Sequence, residues 1–136
     1  MIVADSDVLI DALAGVQPAA TVVARGIRTR QLAIPAIVHF ELLVGARTSD
    51  GLEQVRLLLR PMAVLPFEQE AAELAASAGR RLADLGRSLP MADLAIAGIC
   101  LSLDVPLLTR NRKHFERIEG LRLEPLETLD AGVPGS

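Results

Sequence analysis

Three carboxylates stand in this sequence where the local pattern makes an acid costly. Asp5 follows directly on the apolar run Ile2–Ala4. Glu41 lies in the middle of a helical pattern over residues 36–46, with Ile37, Val38, Val44 and Gly45 three and four positions away. Asp93 has Leu89, Pro90, Ile96 and Ala97 at the same spacings, in a second helical pattern that looks buried. Burying an unpaired carboxylate costs several kcal/mol, and the remedies are a basic partner, protonation or a metal. Neither helix carries a basic residue at those spacings. Acids from separate segments converging on one edge are what an oxygen-ligated Mg²⁺ or Mn²⁺ requires. Singly, Asp5 could be only a helix N-cap and Asp93 only a first-turn acid favoured by the dipole. Glu41, mid-helix, has no such local role. The coincidence of the three carries the reading. Asp7, two residues after Asp5, is expected near the same centre, and Asp11 is expected on the solvated surface.

The elements that must position these acids alternate between strand and helix. Ile2–Ala4 reads as a strand, 6–14 as a helix stopped by Gly15, and 18–30 as a helix opened by Pro18. A strand over 32–34 precedes the 36–46 helix, and Ser49 or Asp50 caps a helix that ends near Leu59. Ala63–Leu65 is a strand. The clearest helix spans 67–86, where Phe67, Ala71, Leu74, Ala75, Ala78, Leu82 and Leu85 recur at three- and four-residue steps. Pro90 opens a helix to about Ser102, followed by a strand over 105–108, a short helix over 111–117 and a last strand over 121–123. The end from Thr128, with Gly132, Pro134 and Gly135, is expected to fray. This alternation predicts an α/β domain with a parallel sheet and helices on both faces. Ligands in such sheets bind beyond the carboxyl ends of the strands, which is where Asp5 falls.

Composition bounds what this domain can be. The 136 residues predict a single domain spanning 1–136, and 51% of them are hydrophobic, enough for a core. Aromatics are limited to three Phe, which argues against a stacking platform for single-stranded nucleic acid. A lone cysteine, Cys100, excludes an internal disulfide, fits a reducing compartment and reads as a small buried hydrophobe. The apolar run over 94–103 is shorter than the about 20 residues a membrane helix needs. Acids at 5 and 7, with no basic residue before Arg25, do not make a signal peptide. A soluble, cytoplasmic protein with no membrane contact is expected. Net charge is −3, so no global basic field draws it to nucleic acid. Two local clusters, Arg80, Arg81 and Arg87, and Arg110, Arg112 and Lys113, are either phosphate contacts or solvated helix ends.

The segments around the acids resemble a family. MIVADSDVLIDAL looks like the opening of a PIN domain, a hydrophobic strand ending in a metal-binding Asp followed by a small hydroxyl residue, here Ser6. IPAIVHFELLVGA resembles the second block, with Glu41 as its acid, and LPMADLAIAGIC the third, with Asp93. VPLLTRNRKHFERIEGLRLEPL is similar to the closing block of VapC toxins, where a Thr-Arg-Asn run leads to a His-Phe or Asp-Phe pair. These blocks follow in order from Met1 to Leu126.

The resemblance implies a three-layer αβα PIN-like fold with a short parallel sheet of about four to five strands. It implies a Mg²⁺-dependent endoribonuclease, the toxin of a type II toxin–antitoxin pair, homodimeric and held inactive by a VapB-type antitoxin. Asp5 and Asp93 would be the main Mg²⁺ ligands, with Mn²⁺ as the alternative ion. Glu41 would complete the cluster, through a water or as a base. The reaction implied is hydrolysis of an RNA phosphodiester by a metal-activated water. Asn111 stands near where many PIN domains carry a fourth acid, and Asp7 where an Asn is common. Arg110 and Arg112, in the loop after a strand's carboxyl end, are candidates to grip flanking phosphates.

Three rival readings start from the same residues. The Asp5-x-Asp7 pair resembles haloacid-dehalogenase phosphatases, but Val8-Leu9 follows where they carry Gly-Thr or similar, and no acidic pair follows Lys113, the only lysine. A metal-free nuclease needs two histidines as acid and base. The chain has His39 and His114, of which His39 points away from Glu41's helix face and His114 is expected to pack beside Phe115 or touch RNA. A non-catalytic interaction module would use the acids as caps and its apolar excess, a mean hydropathy of +0.38, to cover partners.

Overall fold

The computed structural model describes residues 1–126; the expected fraying of 128–136 lies outside the described residues. Strand β1, Ile2–Ala4, is buried along its whole length, as is β2, Leu32–Pro35. Continuous apolar runs of this kind suit a parallel sheet covered on both faces. Two shorter strands, β3 at Ala63–Leu65 and β4 at Leu107–Leu108, complete the order β3-β2-β1-β4. All three pairings are parallel, with Val3 opposite both Ala33 and Leu107, and Ile34 opposite Val64.

Two strand expectations need correction. β4 starts at Leu107 rather than 105, and Pro106, immediately before it, has no N–H to extend a ladder. The strand expected over 121–123 is a single parallel bridge between Leu107 and Leu123.

Seven helices flank the sheet among the described residues: α1 Ser6–Leu13, α2 Ala19–Arg28, α3 Ala36–Gly45, α4 Ser49–Leu59, α5 Gln69–Asp84, α6 Met91–Leu103 and α7 Arg112–Phe115. The cap of α4 is Thr48, whose hydroxyl accepts from the Gly51 N–H at 2.9 Å, not Ser49 or Asp50. Helix α5 begins after Phe67, which stays exposed. It ends in a Schellman arrangement: Gly86, at φ +68°, lets the Arg87 N–H reach the Leu82 carbonyl at 2.8 Å. Helices α5 and α6 pack closely because Gly98 has no side chain. A Cβ there would stand 2.3 Å from the Ala71 carbonyl oxygen and 2.9 Å from Ala75 Cβ. Phe115, fully buried, pins α7 to the core.

Chain order explains where a ligand can sit. From β1 the chain steps outward to β2 and then β3, and returns through α5 and α6 to β4 on the other side of β1. Right-handed crossovers put the outward and returning helices on opposite faces. The carboxyl ends of β1 and β4 therefore flank the topological switch point, where open α/β sheets bind ligands. No helix among the described residues is long and apolar enough to cross a membrane.

Candidate active site

Asp5 leaves β1 at that switch point. Its backbone N–H is tied to the Leu108 carbonyl at 2.9 Å, so strand pairing sets the position of its Cα. The side chain is 6% exposed and both oxygens are engaged. Oδ1 accepts from the Ser6 N–H at 2.8 Å and Oδ2 from the Thr109 hydroxyl at 2.7 Å. Asp5 is thus an N-cap, the local role open to it from sequence, but a cap with a second oxygen tied to another strand. Thr109 is buried at the carboxyl end of β4, and its oxygen accepts from the Asn111 N–H at 3.0 Å. A hydroxyl has one proton, and the shorter contact to Asp5 takes it, leaving Asp7 Oδ2 at 3.3 Å. Asp7 Oδ2 also accepts from the Arg110 N–H at 3.1 Å, while Asp7 Oδ1 is buried without a partner among the described residues.

Burial pushes the Asp5 carboxyl up to about 6, helped by the Asp7 charge and, less, by Asp93. The hydrogen bonds from Thr109 and Ser6 pull the other way and do not overcome it. Asp7 is also raised by burial, against the Arg110 amide. Partial desolvation raises Glu41, and the Asp93 charge adds to it. Asp93 therefore acts on both Asp5 and Glu41, although the three leave different elements. Like charges that oppose one another's ionisation are relieved by a cation.

Glu41 differs from its expected setting. It is exposed, and so are Phe40 and Val44 beside it. Helix α3 is apolar on nearly every side, so periodicity could not say which row faces the core. Glu41 sits on the rim of a groove lined by Ile10 and Leu13 of α1, Leu42 of α3 and Val55 of α4.

Asp93, on the first turn of α6, is largely buried and has a partner that local spacing did not reveal. His114 Nδ1, from α7, lies 3.1 Å from Asp93 Oδ2 and 2.8 Å from the Asn111 side-chain amide. A carboxylate only accepts, so an ionised Asp93 requires the proton on Nδ1. Asn111 Nδ2 lies on the same nitrogen, and turning that amide over would present its oxygen to the N–H. His114, expected to pack beside Phe115 or touch RNA, also braces an acid. Asn111 and His114 stand three apart on one helix turn, a spacing that could have flagged the pair. Sequence reasoning also missed Thr109, although it directly follows the strand beside β1.

Asp11, expected to be solvated, is mostly covered and binds Arg110 Nε at 2.9 Å. Arg110 is therefore held beside the acids with its side chain still half exposed, while Arg112 makes only a loose pair with Glu116 at 3.7 Å. His39 Nδ1 is buried without a partner among the described residues.

No three His, Cys, Asp or Glu side chains among the described residues are grouped so as to hold a metal ion by themselves. Mg²⁺ needs less than that, since it keeps several waters and is bound through one or two carboxylates and substrate phosphates. The hard oxygen donors, the orphaned Asp7 Oδ1 and the burdened Asp5 carboxyl fit such a partly hydrated ion.

Comparison with known proteins bears on the fold and the family. The PIN domain family matches residues 2–121. Ribonuclease VapC10 of Mycobacterium tuberculosis is 34% identical over 122 residues, 90% of this chain and 91% of that protein. The tRNA(fMet)-specific endonuclease VapC of Salmonella typhimurium is 30% identical over 102 residues, covering 72% of this chain and 77% of that one. The structure of VapBC-1 from nontypeable Haemophilus influenzae superposes with a TM-score of 0.79 at 27% identity, over 93% of this chain and 99% of that one. Since the family match takes in β1, β4 and every helix between them, the chain belongs to the PIN-domain family, among its VapC toxins.

Proposed function

We propose that this chain is a Mg²⁺-dependent endoribonuclease, the toxin of a type II toxin–antitoxin pair, with Mn²⁺ as an alternative ion. The observation that carries the reading is that one short stretch, 109–114, binds Asp5 through the Thr109 hydroxyl, Asp7 through the Arg110 N–H and Asp93 through His114, at the switch point of the sheet. Asp5 and Asp93 would hold the ion and Glu41 would complete its shell through a water. Bound there, the ion would supply an activated water and stabilise charge on the phosphoryl oxygens.

The chain's own residues do the rest. Ser6 and Thr109 fix the two oxygens of Asp5, and the His114 N–H fixes Asp93 Oδ2. Glu41, exposed and raised, is suited to accept a proton from the attacking water on its carboxylate. Arg110, steadied by Asp11 and with its N–H on Asp7, stands next to the acids for a flanking phosphate, and Arg112 follows two residues on. The phosphatase reading still lacks the acidic pair it needs after Lys113.

The solved VapBC relative supports a VapB-type antitoxin as partner, and VapBC is a family of toxin–antitoxin systems. Two apolar grooves offer the surface that an antitoxin and a homodimer contact would cover. One is the groove beside Glu41; the other, between α3, α5 and α6, is bordered by the exposed Phe40, Phe67 and Met91.

The test is cleavage of a defined RNA, with initiator tRNA as the first substrate because one relative is named for it. Cutting is expected in Mg²⁺ and lost in EDTA, in Asp5→Asn and in Asp93→Asn. Undiminished cutting in EDTA overturns the metal mechanism.

A further inference from the structure

We infer that Arg87, Lys113 and Arg117 form a cradle for a phosphate of the RNA backbone, next to the acids but separate from them. The inference rests on the ribonuclease reading and adds a substrate contact to it. The two basic clusters lie apart in sequence, yet the fold brings one member of the first against the end of the second. Arg87, Lys113, Glu116 and Arg117 line one surface pocket of about 410 Å³, roomy enough for a phosphodiester group.

Charge and hydrogen bonding both mark this pocket as unfinished. Three cations face one carboxylate, and Glu116 is already shared with Arg112. The chain as a whole carries −3, so this is a local excess in an acidic molecule. No side-chain hydrogen bond or ion pair to Arg87, Lys113 or Arg117 is formed by the described residues. Arg117 Nε is in addition buried and without an acceptor, a state that native proteins rarely leave uncompensated. A phosphate supplies oxygens in the geometry that a guanidinium fork matches.

The cradle is also held in place. The Schellman turn at Gly86 fixes the backbone of Arg87, and Arg81 Nη1 donates to the Arg117 carbonyl at 3.5 Å. Continuity with the acids favours RNA over an acidic protein segment. Residues 109–117 carry Thr109 against Asp5, the Arg110 N–H against Asp7 and His114 against Asp93, and the same stretch presents Lys113 and Arg117 to the pocket. Lys113 and Arg117 thus share one short segment with the residues that hold the acids, where a phosphate neighbouring the scissile one would run.

The experiment measures binding of a fluorescent oligouridylate to the full chain in EDTA, where no cutting is expected, across a salt series. Arg87→Gln/Lys113→Gln is expected to weaken binding roughly tenfold at low salt and to lower the slope of log K against log[salt] by about 0.7 for each phosphate no longer neutralised. Arg28→Gln/Arg60→Gln, which removes the same charge from exposed helix ends, should leave the slope near wild type. Arg117→Lys keeps the charge and removes the fork, so it should weaken binding with the slope preserved; circular dichroism and Tm confirm that each variant folds. Equal losses in the test and control pairs overturn the cradle. So does a loss confined to antitoxin binding, which assigns the pocket to the protein partner. Inorganic phosphate should displace the RNA more than chloride does at matched ionic strength, and less so in Arg117→Lys; equal displacement by the two anions overturns the cradle. Cleavage by the wild-type chain in Mg²⁺ is followed in parallel. If it is present while the cradle fails, the ribonuclease reading stands alone; if it is absent, both fall.

Discussion

Thr109 donates its hydroxyl proton to Asp5 Oδ2 at 2.7 Å, joining residues 104 apart in the chain at the ends of two neighbouring strands. The Asn111 N–H fixes the same hydroxyl from behind at 3.0 Å. This bond favours the ionised form of a carboxyl that burial pushes towards neutrality. It keeps Asp5 available to a cation near neutral pH.

Removing that hydroxyl has a defined cost. Thr109→Val leaves Asp5 Oδ2 buried without its donor and is expected to lower stability by about 1–3 kcal/mol. It should also raise the Asp5 pKa further and weaken Mg²⁺ binding, whereas Thr109→Ser retains both. Thermal unfolding and calorimetric Mg²⁺ titration read the two effects.

Asp5 itself burdens the metal-free fold. Its folded pKa of about 6 lies above the ordinary 3.8, so its contribution to stability is fully present below about pH 4 and lost as pH rises through 6. The gap corresponds to about 3 kcal/mol at neutral pH. Asp5→Asn should therefore be more stable than wild type in EDTA, by a margin that grows between pH 4 and 6.5 and then levels, while cleavage is abolished. The same titration makes Mg²⁺ compete with a proton, so wild-type affinity should fall towards tenfold per pH unit below about pH 6. A stability difference that does not change across this window would contradict the assignment.

Glu41 makes the opposite combination. Its exposure predicts that Glu41→Gln changes stability by no more than about 0.5 kcal/mol. As proton acceptor it should nevertheless cost 10²–10⁴-fold in kcat, on the order typical of a general base. Equal kcat in the variant and the wild type would remove the role.

Gly98 tests the packing behind the site. Gly98→Ala drives a methyl against the Ala71 carbonyl oxygen at 2.3 Å, so α5 and α6 must part. Overpacking of this kind costs about 1–3 kcal/mol. Because α6 carries Asp93, Mg²⁺ affinity should fall with the melting temperature.

Local pattern alone was enough to order the elements, to make the sheet parallel and to put Asp5 at the end of its first strand. Each of these follows from a run of apolar residues and the residue that breaks it, and such signals act over a few positions. The same pattern erred for Glu41, since a helix apolar on most sides does not say which side the core takes. It was silent on Thr109, did not foresee the contact of His114 with Asp93, and expected on the surface an Asp11 that is mostly covered and anchors Arg110. Those contacts depend on β4 pairing with β1 and on Phe115 seating α7 against the core. Pairings between residues so distant are set by strand order and close packing, to which a side-chain period is blind, and so the tertiary fold alone chose the long-range partners of the acids.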